Sequence, residues 1–433
     1  MSVLTIVVLF LVLTVVMILV GIPIAFSIGL CTIGAIYFAM GSGPLTRVGL
    51  IPYSVLYSQN YLPLPLFMLM ACIIGETKMG EDIFDTANKW LCKVPGGLLV
   101  ASVVGEGVMA ATMGSSGTTI MTIGTIVDPE IKRLNYNREF GMATLLAAGV
   151  LGPLIPPSVN FIVYAAVTQT SVSQLFLAGV VPGILLILML AAMVIITCII
   201  HPDWAPRPKG VSWKERILSL RKVWSVLVLI IAIVGGIFSG AVTATEAGAL
   251  GVVVTLIIAV VAYNFRFKQL VRAMGKAMSL TGMVGLMFIA VNSFTYIVAV
   301  SGLADNLGTF VKGLNVPPIV IIFVINIILL ILGCVMDSFA IMMVTLPLFM
   351  PIINALGYDP VWFGVLVCVN IEIGLISPPV GLSLFMVSGM FDVNVKKLIR
   401  SVLPFLAMLI VFLFLLILFP QISMWLPNLS SAV

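Results

Sequence analysis

The chain has 433 residues, of which 61% are hydrophobic and only 9% are charged, and its net charge is +5. Soluble domains are about one quarter charged, so this composition excludes a water-soluble fold and requires lipid as the solvent. Its basic residues lie in short loops and do not form one basic face, which argues against nucleic-acid binding.

The chain opens on an apolar run, MSVLTIVVLFLVLTVVMILVGIPIAF, with no Lys or Arg before it and no small-residue cleavage signature. It is therefore expected to be a retained membrane helix and not a signal peptide.

A bilayer is crossed by about 20 apolar residues. Candidate spans in the first half lie near 3–20, 22–40, 54–75, 140–168 and 175–200. Candidate spans in the second half lie near 225–242, 244–263, 277–300, 360–389 and 401–427.

The stretch 97–126 is apolar but interrupted by Gly, Ser and Thr, and it predicts a re-entrant hairpin that enters and leaves the membrane on one side. Its tip reads GSSGTT at 114–119. Glycine breaks the helix there, and the hydroxyls can satisfy freed backbone groups or coordinate an ion. A contact of small residues between two helices is the alternative interpretation.

The helix after this hairpin reads AAGVLGPLIPPSVNF at 147–161. Gly152 and the pair Pro156-Pro157 should interrupt its hydrogen-bond ladder in mid-membrane. Irregular backbone is tolerated at that depth only when it is buried in protein or lines a cavity, and freed carbonyls can bind a cation. A plain proline kink is the alternative. Ser158 and Asn160 lie on this break and are candidates to face a site.

The second hairpin is expected at 317–349, after a polar linker at 205–224, and it carries Asp337 deep in an apolar run without Lys or Arg. A carboxylate at membrane depth costs about 2.5–3.5 kcal/mol on insertion scales. Bound sodium, which prefers hard oxygen ligands, would offset this cost. A protonated Asp337 that hydrogen-bonds to a neighbour is the alternative.

A second broken helix, VNIEIGLISPPVGLS at 369–383, follows and carries Asn370, Glu372 and Ser377. Glu372 is interpreted either as a site residue or as a partner across helices. Two other acidic residues receive structural interpretations as caps at helix starts, Glu246 in VTATEAGALG and Glu106 at the start of the first hairpin.

The two halves match at a fixed offset of 222 positions, without a gap. Matched glycines and prolines are informative because they fix backbone breaks. The matches include Ser116 with Ser338, Gly152 with Gly374, Pro156-Pro157 with Pro378-Pro379, and Pro182 with Pro404. They predict two repeats at 3–204 and 225–426.

Each repeat then crosses the membrane five times, so the second repeat is expected to be inverted relative to the first. The loops 76–96, 127–139, 201–224, 264–276 and 391–400 fall on one side and hold 19 of the 21 Lys and Arg residues. The positive-inside rule therefore places these loops and the linker in the cytoplasm, and both termini on the periplasmic side of a bacterial inner membrane. The predicted fold is all-α and polytopic, with about ten spanning helices and two re-entrant hairpins.

Several motifs resemble the large membrane (M) subunit of tripartite ATP-independent periplasmic (TRAP) transporters nearly end to end. They are GIPIAFSIG at 21, GSSGTT at 114, LIPPS at 154, TATEAGALG at 243, MDSFAIMMVTLPLFMPI at 336 and VNIEIGLISPPVGLSLF at 369. The resemblance implies an ion-transporter-superfamily fold of the elevator type that imports carboxylate-bearing organic anions with sodium. A sialic acid and a C4-dicarboxylate both fit, and the overall likeness to the family favours the sialic acid. The resemblance also implies a periplasmic binding protein and a small four-helix membrane subunit, which is expected on a separate chain.

The resemblance implies two sodium sites. The first comprises Ser115, Ser116 and the first break at Gly149 and Gly152, and the second comprises Asp337, Ser338, Asn370 and Gly374. Ser115 and Ala148 stand where the second half has Asp337 and Asn370, so the two sites are expected to differ chemically. No Lys or Arg lies on the hairpins or breaks, so hydroxyls are the candidates for holding a substrate. The predicted substrate ligands are Ser116, Thr118, Thr119, Ser338 and Ser377.

Three rival functions are weighed. An ATP-driven pump is disfavoured because the chain has no phosphate-binding loop motif. A membrane protease is disfavoured because GSSGT fails the G-x-S-x-G pattern and because the single histidine, His201, lies in a loop. A stand-alone sodium- or proton-coupled carboxylate carrier, with the same repeats but no binding protein, stays the main alternative, ahead of a channel.

Overall fold

A computed structural model describes residues 3–206, 211–314 and 316–430, which form helices and short connections. The helices of the first half are α1 Val3–Leu19, α2 Ile24–Met40, α3 Leu45–Leu56, α4 Pro63–Gly75, α5 Met79–Leu91, α6 Gly97–Met113, α7 Ser116–Arg133, α8 Arg138–Ala148, α9 Leu151–Leu154, α10 Val159–Thr168 and α11 Val172–Ile200. Those of the second half are α12 Trp213–Ile230, α13 Gly236–Phe238, α14 Ala244–Tyr263, α15 Phe267–Val300, α16 Leu303–Gly313, α17 Pro318–Gly333, α18 Ser338–Ala355, α19 Pro360–Leu375, α20 Leu382–Phe391, α21 Val395–Leu418 and α22 Gln421–Ser430. The expected all-α membrane fold is confirmed.

Six of these helices are long and apolar enough to cross a bilayer, judged by length and composition over the described ranges. A seventh candidate is the pair Arg138–Leu154 and Val159–Thr168, which is bent by 45° at the first predicted break. Most of the other apolar helices are shorter, at 10–17 residues. The number of ten spans therefore stays a prediction.

Several helices in the second half begin and end at positions that correspond to those of helices in the first half. Helices α7 and α18 begin at Ser116 and Ser338 and end at Arg133 and Ala355, a separation of 222 positions at both ends. Helices α8 and α19 begin 222 positions apart as well, at Arg138 and Pro360. The division into two inverted repeats stays a prediction, because the helix bounds carry no information about orientation in a membrane.

Both predicted hairpins consist of two apolar helices joined by a short tip. Gly114 and Ser115 separate α6 from α7, while residues 334–337 separate α17 from α18. Each tip is attached to the neighbouring break by one backbone hydrogen bond. The Val159 amide donates to the Gly114 carbonyl over 3.3 Å, and the Gly381 amide donates to the Cys334 carbonyl over 3.0 Å. The core lies around these breaks, where α8, α9 and the whole of α19 are buried.

The linker contains more helix than its polar composition indicates. Helix α12 begins at Trp213, inside the predicted linker 205–224, and a capping box of Ser212 and Glu215 starts it. It packs on α5, where the Thr86 hydroxyl donates to the Ser219 carbonyl over 3.0 Å. The helix predicted at 225–242 therefore continues a helix that begins inside the predicted linker.

The two acidic residues interpreted as caps have different outcomes. Glu246 is confirmed, because its carboxylate accepts a hydrogen bond from the Thr243 amide over 2.8 Å and the two residues form a capping box. The interpretation of Glu106 as a cap is wrong, because α6 begins nine residues earlier, at Gly97, and Glu106 lies buried in the interior of this helix.

Candidate functional site

The two hairpin tips meet at a cavity of about 220 Å³, here called the hairpin cavity. Its wall combines both tips, both broken helices and the start of α20. The lining residues are Ser115, Ser116, Gly117, Asn160, Asp337, Ser338, Phe339, Glu372, Leu375, Leu382, Ser383 and Met386. Four of the predicted site residues, Ser115, Ser116, Asp337 and Ser338, thus come together although they belong to different halves of the chain.

Close backbone packing fixes the first tip. Gly114 has a φ of +62°, and a Cβ added there would lie 2.6 Å from the Pro157 carbonyl oxygen. A Cβ on Gly152 would lie 2.6 Å from the Ser116 backbone nitrogen. The two glycines let the tip rest directly on the break, and this contact places Ser115 and Ser116 at the cavity.

The second tip is organised by Asp337, which is the N-cap of α18. Its Oδ1 atom accepts hydrogen bonds from the amides of Phe339, over 3.0 Å, and Ala340, over 3.1 Å. No ion pair of Asp337 is found in the described part of the chain. The cap therefore fixes the Asp337 carboxyl group at the start of α18, where it lines the edge of the cavity.

Glu372 connects the two halves of the chain. Its Oε1 atom accepts a hydrogen bond from the Ser338 hydroxyl over 3.0 Å and another from the Asn160 side-chain amide over 3.4 Å. The residue is buried and lines the hairpin cavity. Both interpretations of Glu372 therefore hold, since it faces the candidate site and also pairs across helices.

Asn370 lies behind the cavity in a fully buried position. Its side-chain amide donates to Asn326 of α17, to the carbonyl over 2.8 Å and to Oδ1 over 2.7 Å. Its own Oδ1 atom is buried without a hydrogen-bond partner among the described residues. A buried acceptor without a donor costs about 1–3 kcal/mol, so this oxygen is a candidate ligand for a cation.

Other predicted ligands turn away from the hairpin cavity. Thr118 is exposed, and its hydroxyl donates to the Ser115 carbonyl over 3.3 Å. The buried Thr119 hydroxyl donates to the same carbonyl over 3.0 Å. Ser377 donates back to the Ile373 carbonyl over 2.7 Å. Gly149 packs against the Ile120 side chain. Gly374 approaches Gly333, and a Cβ on it would lie 2.5 Å from the Gly333 Cα atom.

Two polar residues at this site are missing from the sequence prediction. Asn326 lies in the apolar run of α17, and Ser383 lines the cavity from α20. Asn326 carries the same signal as Asp337, a polar side chain within an apolar run. The described lining residues include two carboxylates and no Lys or Arg. An anion in this cavity must therefore be balanced by a cation or by backbone dipoles.

A site made of two hairpin tips and two broken helices is typical of secondary transporters, and comparisons with known proteins give the same class. Residues 11–422 match the family described as "Tripartite ATP-independent periplasmic transporter, DctM component". The chain belongs to this family. It is therefore a multi-pass membrane subunit of a TRAP transporter and not an enzyme.

Individual relatives agree with this assignment. The chain is 38% identical over 376 residues to the C4-dicarboxylate TRAP transporter large permease protein DctM of Pseudomonas aeruginosa, covering 86% of this chain and 87% of that protein. It is 32% identical to the sialic acid TRAP transporter large permease protein SiaM of Vibrio cholerae, with coverages of 85% and 86%. The crystal structure of the YdaH transporter of Alcanivorax borkumensis is similar in fold, with a TM-score of 0.59, 14% identity and coverages of 87% and 89%.

Proposed function

We infer that this TRAP subunit imports a carboxylate-bearing organic anion by sodium-coupled secondary transport, receiving it from a periplasmic binding protein. The observation that carries this proposal is the hairpin cavity, in which both tips meet around Asp337 and Glu372 without a basic side chain. An anion can bind beside two carboxyl groups if a bound cation or the positive ends of backbone dipoles balance its charge. Sodium bound at the tips would supply this positive charge.

The second sodium site is supported by the chemistry of its oxygen atoms. Asp337 provides a carboxylate, Ser338 a hydroxyl, and Asn370 a buried amide oxygen without a donor. Hard oxygen ligands of this kind suit a small cation, and a cation would remove the cost of the unpaired Asn370 oxygen. Gly374 itself lies inside α19, and its carbonyl already accepts a hydrogen bond from the Ser377 amide over 2.9 Å. Any further backbone ligand would therefore come from the break that follows α19.

The first sodium site has weaker support. Ser115, Ser116 and the break at Gly149 and Gly152 contribute hydroxyls and carbonyls but no carboxylate. The Pro153 carbonyl in this break already accepts a hydrogen bond from the Ser158 hydroxyl, so it is less free to bind an ion. This difference matches the expectation that the two sites are not equivalent, and it predicts that the first site binds sodium more weakly.

The alternating-access step would move the hairpins and broken helices together against the other helices, as an elevator. Each tip is hydrogen-bonded to its break. Glu372, on the second broken helix, accepts hydrogen bonds from Asn160 on the first broken helix and from Ser338 at the second tip. These contacts favour a transport unit that moves as one body. The substrate would meet the tip hydroxyls, Ser116 and Ser338, while the bound ions balance its charge.

The relatives support tripartite partners but do not decide the substrate. Family membership favours a small membrane subunit and a periplasmic binding protein. Of the two named relatives, the dicarboxylate permease is the more identical to this chain, at 38% against 32%. These comparisons therefore do not favour a sialic acid over a dicarboxylate as the substrate.

Reconstitution tests the proposal against the stand-alone carrier. Large and small subunits are placed together in proteoliposomes, and uptake of a panel of labelled acids at micromolar concentration is measured with and without the binding protein and an inward sodium gradient. We expect uptake only when both are present. Equal uptake without the binding protein would favour the stand-alone carrier, and uptake independent of sodium would refute the coupling ion.

A further inference from the structure

A second cavity, of about 480 Å³, adjoins the hairpin cavity on the side of α1, α2 and α15. It is here called the apolar cavity. The two cavities share Asp337 and Leu382. The remaining lining comes from the α1–α2 connection, from α15 and from the second tip. These residues are Ile18, Gly21, Ile22, Pro23, Ile24, Ala25, Phe26, Met283, Leu286, Met287, Val335 and Met336.

The two cavities differ in chemistry. The hairpin cavity offers the hydroxyls of Ser115, Ser116 and Ser338, whereas Asp337 is the only polar side chain among the described residues that line the apolar cavity. Ligand pockets generally measure about 300–1,000 Å³. The hairpin cavity, at about 220 Å³, is smaller than the apolar cavity, so a substrate with a larger apolar part would extend from the first cavity into the second.

We propose that the substrate is an amphipathic monocarboxylate, with its carboxylate in the hairpin cavity and an apolar body in the apolar cavity. This inference rests on the proposed import of an organic anion and narrows its substrate class. The shared residues Asp337 and Leu382 mark the passage between head group and body. A second carboxylate or a chain of hydroxyls would lose water in the apolar cavity and would meet no polar side chain there except Asp337, which disfavours it.

The proposal makes α1, α2 and α15 determinants of specificity, although they carry none of the predicted ligands. Met283 and Met287 face the substrate body from α15, and Ile22 and Ile24 face it from the α1–α2 connection. Methionine adapts its shape to different apolar groups. The subunit would therefore accept several apolar bodies while it retains the carboxylate.

Direct binding tests this inference. The large and small subunits are purified together into nanodiscs with sodium present, and the dissociation constants of hexanoate, succinate and N-acetylneuraminate are measured by calorimetry. Hexanoate should bind at least about tenfold more tightly than the other two, because one apolar group in a pocket changes affinity by about tenfold or more. Tighter binding of succinate or N-acetylneuraminate overturns the inference.

Matched variants locate the apolar body. Met283→Gln keeps the side-chain length but places an amide in the apolar cavity, and it should weaken hexanoate binding by about tenfold. Met278→Gln is the control, because Met278 lies on the same helix but lines a different cavity. Equal effects of the two variants would overturn the inference.

The outcomes also separate this inference from the proposed function. Sodium-dependent binding and uptake of succinate without hexanoate would refute the apolar body and leave organic-anion import intact. Absence of sodium-dependent binding for all three acids, together with no uptake of any acid supplied by the binding protein, would refute both. If lipid acyl chains fill the apolar cavity instead, hexanoate and succinate will bind equally, and the inference fails.

Discussion

Asp337 combines two tasks at the tip of the second hairpin. Its Oδ1 atom caps α18 by accepting two backbone amides, and its carboxylate lines both cavities. A capping aspartate stabilises a helix by about 0.5–2 kcal/mol relative to alanine. An asparagine can cap almost equally well, so substitution by Asn separates the structural task from the charge.

Asp337→Asn should therefore leave the fold intact and reduce the stimulation of uptake by sodium by at least about tenfold, because a lost ion contact of about 1.4 kcal/mol already has that effect. Uptake in proteoliposomes over a range of sodium concentrations measures it. The control is Asp359→Asn, because Asp359 caps α19 in the same way through the Val361 amide but does not line the hairpin cavity. Unchanged sodium dependence in Asp337→Asn would indicate a purely structural aspartate.

Glu76 shows how a single carboxylate can join two elements outside the cavity. It follows α4 directly and forms ion pairs with Arg272 over 2.9 Å and with Lys276 over 2.8 Å, both from α15. The hydrogen bond from Lys276 lowers the pKa of Glu76, and the nearby positive charges lower it further. The stabilisation is therefore complete above the ordinary pKa of a glutamate and is lost as the pH falls through the lowered pKa.

Glu76→Gln should lower the thermal unfolding midpoint of the solubilised protein at pH 7 by about 1–3 °C, a small effect because both cations are largely exposed. The difference from the unsubstituted protein should disappear below the ordinary range of carboxyl titration. Glu130→Gln is the control, because the pair of Glu130 with Arg133 lies within one helix. A difference between Glu76→Gln and the unsubstituted protein that persists at low pH would exclude the ion pairs as its cause.

At the scale of elements, glycines define how the hairpins meet the breaks. A Cβ on Gly152 would collide with the backbone of Ser116, which cannot move aside like a side chain.

Gly152→Ala should destabilise the protein by about 1–3 kcal/mol, as overpacking does, and should reduce uptake. Gly285→Ala is the matched control, because a Cβ on Gly285 in α15 meets open space. Alanine is the better helix former there.

Chemical denaturation in detergent and uptake in proteoliposomes measure both variants. Gly285→Ala should unfold at the same denaturant concentration as the unsubstituted protein or at a higher one, with uptake unchanged. If Gly152→Ala behaves like Gly285→Ala in both assays, the tip does not depend on contact with the break.

The glycines and prolines of the sequence predicted the positions of the hairpin tip and the helix break well. The tip at Gly114 and the bend between α9 and α10 both lie where the residues indicated. Side-chain direction was less predictable, because Thr119 and Ser377 bond back to carbonyls of their own helix turns, an option open to any hydroxyl in a helix. The start of α12 at Trp213 was missed because its first turns are polar and resemble a linker.

At the scale of the whole molecule, the charge distribution sets the orientation. The linker is predicted to be cytoplasmic because its side of the membrane holds 19 of the 21 basic residues. A single cysteine at Lys214, in a variant without the six native cysteines, should resist an impermeant thiol reagent in intact cells and react after permeabilisation. A cysteine at Lys312, predicted to be periplasmic, should react without permeabilisation and is the control. Labelling of position 214 from outside would contradict the inverted repeats.

Much of the molecule was predictable from its sequence at this scale, because the composition required lipid and the motifs identified the family. The number of spans stays a prediction, since breaks and turns divide the apolar runs into helices of which many are shorter than a bilayer crossing. The apolar cavity was not predictable. It forms between the α1–α2 connection and α15, which lie more than 250 residues apart in the sequence.

The hydrogen bonds that attach each tip to its break involve only backbone atoms, from Val159 to Gly114 and from Gly381 to Cys334. A peptide group offers the same donor and acceptor whatever side chain it carries. Mutation could therefore alter the neighbouring side chains without breaking the attachment, as long as Gly114 and Gly381, which have no room for a Cβ, stay glycine. This freedom explains how one scaffold, used twice, tolerates Ser115 at one tip and Asp337 at the other. Evolutionary change at one tip could then proceed while the other tip kept its residues.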